Sequence, residues 1–184
     1  SSLTVAASIC FYLNFIRRSR PKLPLRRFQL KRNPSENGFL QAIGDTPLLY
    51  LKSLSEATGC KIYGKAEYVN PGGSVKDRVA RKIIEVAERD GLLKPGGTIY
   101  EGTSGSTGIS LALAARSKGY NCCIYMPDDQ ALEKKVLLEK FGASVTLVRP
   151  CSIVDSAHFC KQAERQAANE DGGFYADQFE NLAN

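Results

Sequence analysis

The sequence predicts an α/β fold, a parallel sheet flanked by helices, preceded by an apolar-basic N-terminal arm. Two observations carry this. Past residue 39, short runs of β-branched and aromatic residues alternate with longer segments of helical character. Two loops, one around Pro71-Gly72-Gly73 and one from Glu101 to Gly108, each lead into such a segment.

The elements follow in order. Leu48 to Leu51 and Lys61 to Val69 read as strands. Ser74 to Asp90 sets Val75, Val79, Ile83, Ile84, Val86 and Ala87 at helical spacing, and Gly91 with Pro95-Gly96-Gly97 breaks it. Thr98-Ile99-Tyr100 is a short strand, and Thr107 to Lys118 an Ala- and Leu-rich helix ended by Gly119. Asn121 to Met126 is a strand, Asp129 to Phe141 a helix closed by Gly142, and Ser144 to Val148 a strand. Ile153 to Asn169 reads as a helix, and Phe174-Tyr175 starts another strand. This alternation implies parallel strands covered on both faces, with ligands bound beyond the carboxyl ends of the strands. The loop from Thr103 to Gly108 follows a strand and opens a helix, so it belongs in that crevice.

Charge is placed unevenly. Residues 1–32 hold eight of the 25 basic residues and no acid; the remainder holds 17 basic against 19 acidic residues. The basic balance belongs to the arm, so the folded region carries no signature of nucleic-acid binding. Six cysteines are scattered without a C-x-x-C pair, and His158 is the single histidine, which excludes zinc spacing; no metal site is expected. Buried free thiols in a reducing compartment fit Cys122 and Cys123, which lie in an apolar run.

In the arm, residues 3–16 are largely apolar and Arg17-Arg18-Ser19-Arg20 follows at once. Three readings are open: a membrane signal-anchor, favoured by basic residues after the apolar run; a transit peptide, favoured by Arg and Ser without acids; and a disordered arm.

Lys76 follows a Pro-Gly-Gly turn at a helix start, and a second loop of backbone donors comes about thirty residues later. Alone, Lys76 reads as an exposed lysine pairing with Asp77 or Glu85. A lysine held by a turn and faced by such a loop is also a candidate for Schiff-base chemistry. Thr103, Ser104, Gly105, Ser106 and Thr107 offer hydroxyls and free N–H groups at a helix start, which suits a carboxylate or phosphate; a plain helix cap is the alternative. Gln178 reads equally as a surface residue at a strand end.

Together, Ile43-Gly44-Asp45-Thr46-Pro47-Leu48, the stretch Asn70 to Arg78, Thr103 to Gly108 and Asp177-Gln178-Phe179-Glu180-Asn181 carry a resemblance. From about Phe39 to Asn184 the chain resembles the cysteine synthase and cystathionine β-synthase family of pyridoxal 5'-phosphate (PLP) enzymes of fold-type II, and looks most like fungal mitochondrial members, which share the Ser at 106. The resemblance implies that Lys76 holds PLP and takes the substrate α-proton. It implies that Thr103, Ser104, Gly105 and Thr107 bind the substrate carboxylate, with Gln178 beside it. Ser106 stands where most members carry an Asn that reaches the cofactor ring, and serine is shorter.

The implied reaction is β-replacement on an activated serine: O-acetylserine and sulfide give cysteine. Cystathionine β-synthase-like activity is the alternative within the class. The implied partners are a small amino acid, sulfide and a second copy of the chain. In that family the chain continues beyond Asn184 with the phosphate-binding cup. The expected organisation is therefore an arm over 1–38 and the N-terminal portion of a catalytic domain over 39–184. A portion without the cup is expected to be inactive alone, and a non-catalytic membrane-associated fragment, held through residues 3–16, is the reading from a different class. The likeness to mitochondrial members points to the mitochondrion, with the cytoplasm as alternative.

Overall fold

The computed structural model describes residues 38–184. The arm, with its anchor and transit readings, lies outside the described residues. A short α1 (Gly38–Gln41) leads to β1 (Leu48–Tyr50), α2 (Lys52–Thr58) and β2 (Tyr63–Lys65), then a 3₁₀ turn over Glu67–Val69. The second part runs α3 (Lys76–Arg89), β3 (Thr98–Gly102), α4 (Ser106–Lys118), β4 (Asn121–Pro127), α5 (Leu132–Lys140), β5 (Ser144–Val148), α6 (Phe159–Asn169) and β6 (Gly173–Tyr175).

Four strands form a parallel sheet in the order β5-β4-β3-β6. The α/β reading therefore holds, and β3 is central. All five of its residues are buried, because helices cover both of its faces. Alternate residues of a strand point to opposite faces. Ile99, Cys122, Ile124 and Met126 join one core with Leu111, Ala112 and Ala115 of α4 and Ile83 and Ile84 of α3. On the other face Gly102 packs directly on Cys160 of α6, and the Tyr100 hydroxyl bonds Glu170 just past α6. α4 is small and apolar around most of its circumference, as a helix between sheet and helix must be. It ends at Gly119, whose left-handed backbone (φ 78°) suits a residue without Cβ.

β1 and β2 make a separate antiparallel pair, with Leu48 opposite Lys65. The run from Lys61 to Val69 is thus not one strand but a short strand and a 3₁₀ turn. α2, absent from the sequence reading, hangs on Ser55: its hydroxyl donates to Leu51 O at 2.8 Å and accepts from Ile62 N–H at 2.9 Å. The last helix starts at Phe159, not Ile153. Ile153 and Val154 are exposed (64% and 89%), so their apolar character reflects no buried helix face. His158 ends that turn region and caps α6, its Nδ1 accepting from Cys160 N–H at 3.3 Å. No helix among the described residues is long and apolar enough to cross a membrane.

Candidate functional site

The loops at the carboxyl end of β3 and before α3 come together through the first turns of two helices. Asp77, in the first turn of α3, is 1% exposed. Its carboxylate accepts the Gly72 N–H at 2.5 Å and the Ser110 hydroxyl of α4 at 2.6 Å. At the far ends, Glu88 of α3 receives Lys118 at 2.6 Å and the Tyr120 hydroxyl at 2.7 Å. Start meets start and end meets end, so α3 and α4 run side by side in the same direction. Lys76 is therefore at the start of α3, next to the start of α4, and is half-buried. The acids that could have paired with it are engaged elsewhere: Asp77 as described, and Glu85 with Arg81 at 2.7 Å.

The turn that carries Lys76 is fixed from outside. Asn70, 4% exposed, accepts the Gly44 N–H at 2.9 Å and donates to Ser74 O at 3.0 Å and to Glu67 Oε2 at 2.8 Å. Glu67 also takes a two-pronged contact from Arg78 (2.8 and 3.0 Å) and the Thr46 hydroxyl at 2.6 Å. The Arg78 guanidinium, foremost, and these hydroxyl and amide donors hold the Glu67 carboxyl down at about 2. The opening segment, the 3₁₀ turn and α3 thus meet at one carboxylate. Gly72 has no room for a Cβ, which would collide with the Asp77 carboxylate.

At α4 the N-cap is Gly105, which has no side chain to cap the helix, and no acid lies in the first turn. The first N–H groups of a helix have no partner within it. Gly105 is exposed, and a Cβ there would meet open space. Thr103 is buried (6%), and its hydroxyl accepts the Gly105 N–H at 3.3 Å. Ser104 and Ser106 are half-buried beside it. Thr107, 2% exposed, donates its hydroxyl to Gln178 Oε1 at 2.5 Å. Gln178 is itself buried, and its N–H donates to Glu101 Oε2 at 3.1 Å. The arrangement is an open-handed helix start that can receive an anion, in a helix that Asp77, the residue after Lys76, contacts through Ser110.

The structure brings Thr103, Ser104, Gly105, Ser106, Thr107 and Gln178 to one place, and the Asp77–Ser110 bond ties the start of α3 to it. Gln178 is not at the surface. Sequence reasoning missed Glu101, fully buried at the end of β3, with Oε1 lacking any hydrogen-bond partner among the described residues. Burial pushes its carboxyl up to about 7, opposed by the Gln178 and Gly102 N–H groups. The signal available was a charged residue closing an otherwise strand-like run. No group of three His, Cys, Asp or Glu among the described residues is placed to hold a metal.

Comparison with known proteins gives the family. A family described as pyridoxal-phosphate dependent enzyme matches residues 39–184. A cysteine synthase of Dictyostelium discoideum is 52% identical over 148 residues, covering 80% of this chain and 39% of that protein. Cysteine synthase 2 of Neurospora crassa is 55% identical over 157 residues, covering 80% of this chain and 34% of that protein. A Saccharomyces cerevisiae protein provisionally named a mitochondrial cysteine synthase is 47% identical, covering 81% and 40%. The crystal structure of O-ureido-L-serine synthase superposes with a TM-score of 0.73 at 39% identity, over 82% of this chain and 46% of that one. The chain spans between a third and two fifths of the length of these curated relatives.

Proposed function

Because the chain belongs to the pyridoxal-phosphate dependent enzymes, we propose that it supplies Lys76 and the mouth of α4 to a site that makes cysteine from O-acetylserine and sulfide. The observation that carries this reading is the Asp77–Ser110 bond, which holds the starts of α3 and α4 side by side. The residues fit the cofactor: Lys76 follows a braced turn, and α4, whose second turn Asp77 contacts through Ser110, starts with uncapped N–H groups and open space at Gly105. Cysteine synthases at about half identity support the choice of reaction.

When bound, PLP supplies an electron sink for the charge left at the substrate Cα. Lys76 anchors the cofactor and later takes the Cα proton on its Nζ. The N–H groups of Ser106 and Thr107, with the Thr103 and Ser104 hydroxyls, hold the substrate carboxylate, and Gln178 fixes the Thr107 hydroxyl. With the cofactor bound, the Ser106 hydroxyl would have one hydrogen bond to donate to it. Acetate leaves Cβ and sulfide takes its place. The test uses the full-length protein. Borohydride reduction and peptide mapping should put the pyridoxyl group on Lys76, and a label on another lysine rejects the assignment. Cysteine should exceed pyruvate as product of O-acetylserine and sulfide; dominant pyruvate would mean elimination instead. A homodimer is the assembly this reading expects, checked by sedimentation.

Residues 1–32 complete the proposal as a mitochondrial address. The acid-free basic cluster behind an apolar run supports it, as does the likeness to the yeast relative. A fluorescent reporter fused to these residues should enter or coat mitochondria, and a diffuse cytosolic signal rejects the role.

A further inference from the structure

Glu101 is the buried group that the proposed chemistry does not use. It sits at the carboxyl end of the central strand, fully enclosed, two residues before Thr103. Its Oε2 accepts the Gln178 N–H at 3.1 Å, and Gln178 Oε1 in turn accepts the Thr107 hydroxyl at 2.5 Å. A three-residue chain therefore runs from the strand end, across the loop after β6, to the first turn of α4. The other Glu101 oxygen has no partner among the described residues.

We propose that Glu101 is the positioning residue of the α4 mouth: as a neutral acid it sets Gln178 and Thr107 for an amino-acid carboxylate, and as an anion it repels that carboxylate. The inference rests on the reading of this loop as the carboxylate site. A buried charge of like sign behind an anion site weakens binding. The titratable groups that act on Glu101 or feel its charge are Asp177 after β6, Tyr175 on β6, Cys160 on α6 and Cys122 on β4, and Lys161 on α6 is the cation that acts on Cys160 and Asp177. The first turn of α4 carries no acid. Burial favours the protonated form well above the usual carboxylate range, so the switch falls near neutral pH.

The experiment measures L-serine affinity of the full-length, cofactor-loaded protein by calorimetry from pH 6 to 9, with melting temperatures over pH 5 to 9. Wild-type affinity should fall about tenfold as Glu101 ionises. Glu101→Gln, which keeps the acceptor and stays neutral, should bind L-serine as the wild type does at pH 6 and show no fall. It should also lose the wild-type drop in melting temperature between about pH 5 and 7, since a raised folded pKa removes stability as pH rises through that window. Glu101→Ala should bind about tenfold more weakly at every pH. A Glu101→Gln protein that follows the wild type in both profiles overturns the inference. Thr107→Ala separates the two claims: weakened L-serine binding there, with Glu101 variants inert, overturns the role of Glu101 alone. If Thr107→Ala binds normally, the carboxylate reading of the loop falls and takes this inference with it.

Discussion

The Asp77 carboxylate receives the Ser110 hydroxyl at 2.6 Å, across 33 residues of sequence. Neither side chain is exposed beyond 1%. The same carboxylate carries the Gly72 N–H, so one buried acid sets both the lysine turn and the neighbouring helix.

Removing that bond should loosen the domain by an amount that depends on which partner goes. Ser110→Ala removes one donor and should cost about 1.5 kcal/mol. Asp77→Ala leaves the buried Ser110 hydroxyl and the half-buried Gly72 N–H unpaired and should cost more, about 3 kcal/mol. Urea denaturation of the two variants checks the order, and equal losses would show that the Gly72 contact contributes nothing.

Gly72→Ala should disturb the lysine turn before it disturbs the sheet. The added methyl would occupy the place of the Asp77 carboxylate. Pyridoxyl labelling of Lys76 should drop severalfold while far-ultraviolet circular dichroism stays unchanged. Unaltered labelling would mean that the turn relaxes without moving Lys76.

The Glu67 carboxyl contributes stability above its ordinary ionisation range, near 4.3 in an unfolded chain. Its folded value, held to about 2, means that this contribution fades as pH falls from about 4.5 toward 2. Melting temperature should therefore fall more steeply over that window in the wild type than in Glu67→Gln, which should already be less stable at pH 7. Parallel acid profiles would contradict the hub.

Gly102→Ala should be among the more damaging single-methyl changes. The new Cβ would lie 2.5 Å from Cys160 Cα, backbone against backbone, so α6 must move off the central strand. Overpacking of this kind costs about 1–3 kcal/mol, here at or beyond the upper end. A thermal shift below 2 °C would show that α6 yields easily.

The parts of the fold that were legible in the sequence are those where burial writes a period. Ile83, Ile84 and Ala87 of α3 and the alternating Cys122, Ile124 and Met126 of β4 are core residues at the spacing their elements require. α2 was not legible because Lys52–Thr58 buries only Ser55, through a hydroxyl and not an apolar stripe. The start of α6 was misread because exposed Ile153 and Val154 mimic a core face. At the site, the loop chemistry of Thr103 to Thr107 was visible as residue type at a helix start. The links that organise it were not. Asp77 to Ser110, Glu67 to Arg78 and Thr46, and Glu101 to Gln178 join residues 11 to 77 positions apart, and nothing in a local window reports such a pairing.

The side-by-side helices are fastened at both ends, by Asp77 and Ser110 at one and by Glu88 with Lys118 and Tyr120 at the other. Along α3 the fasteners are 11 residues apart, from Asp77 to Glu88, about 16 Å of helix. A pair pinned twice over that span resists both sliding and splaying, so it behaves as a single beam. Amide hydrogens along its shared face, near Ile84 and Leu111, should then exchange with solvent only on global unfolding, whereas those of the short β1–β2 pair should exchange earlier.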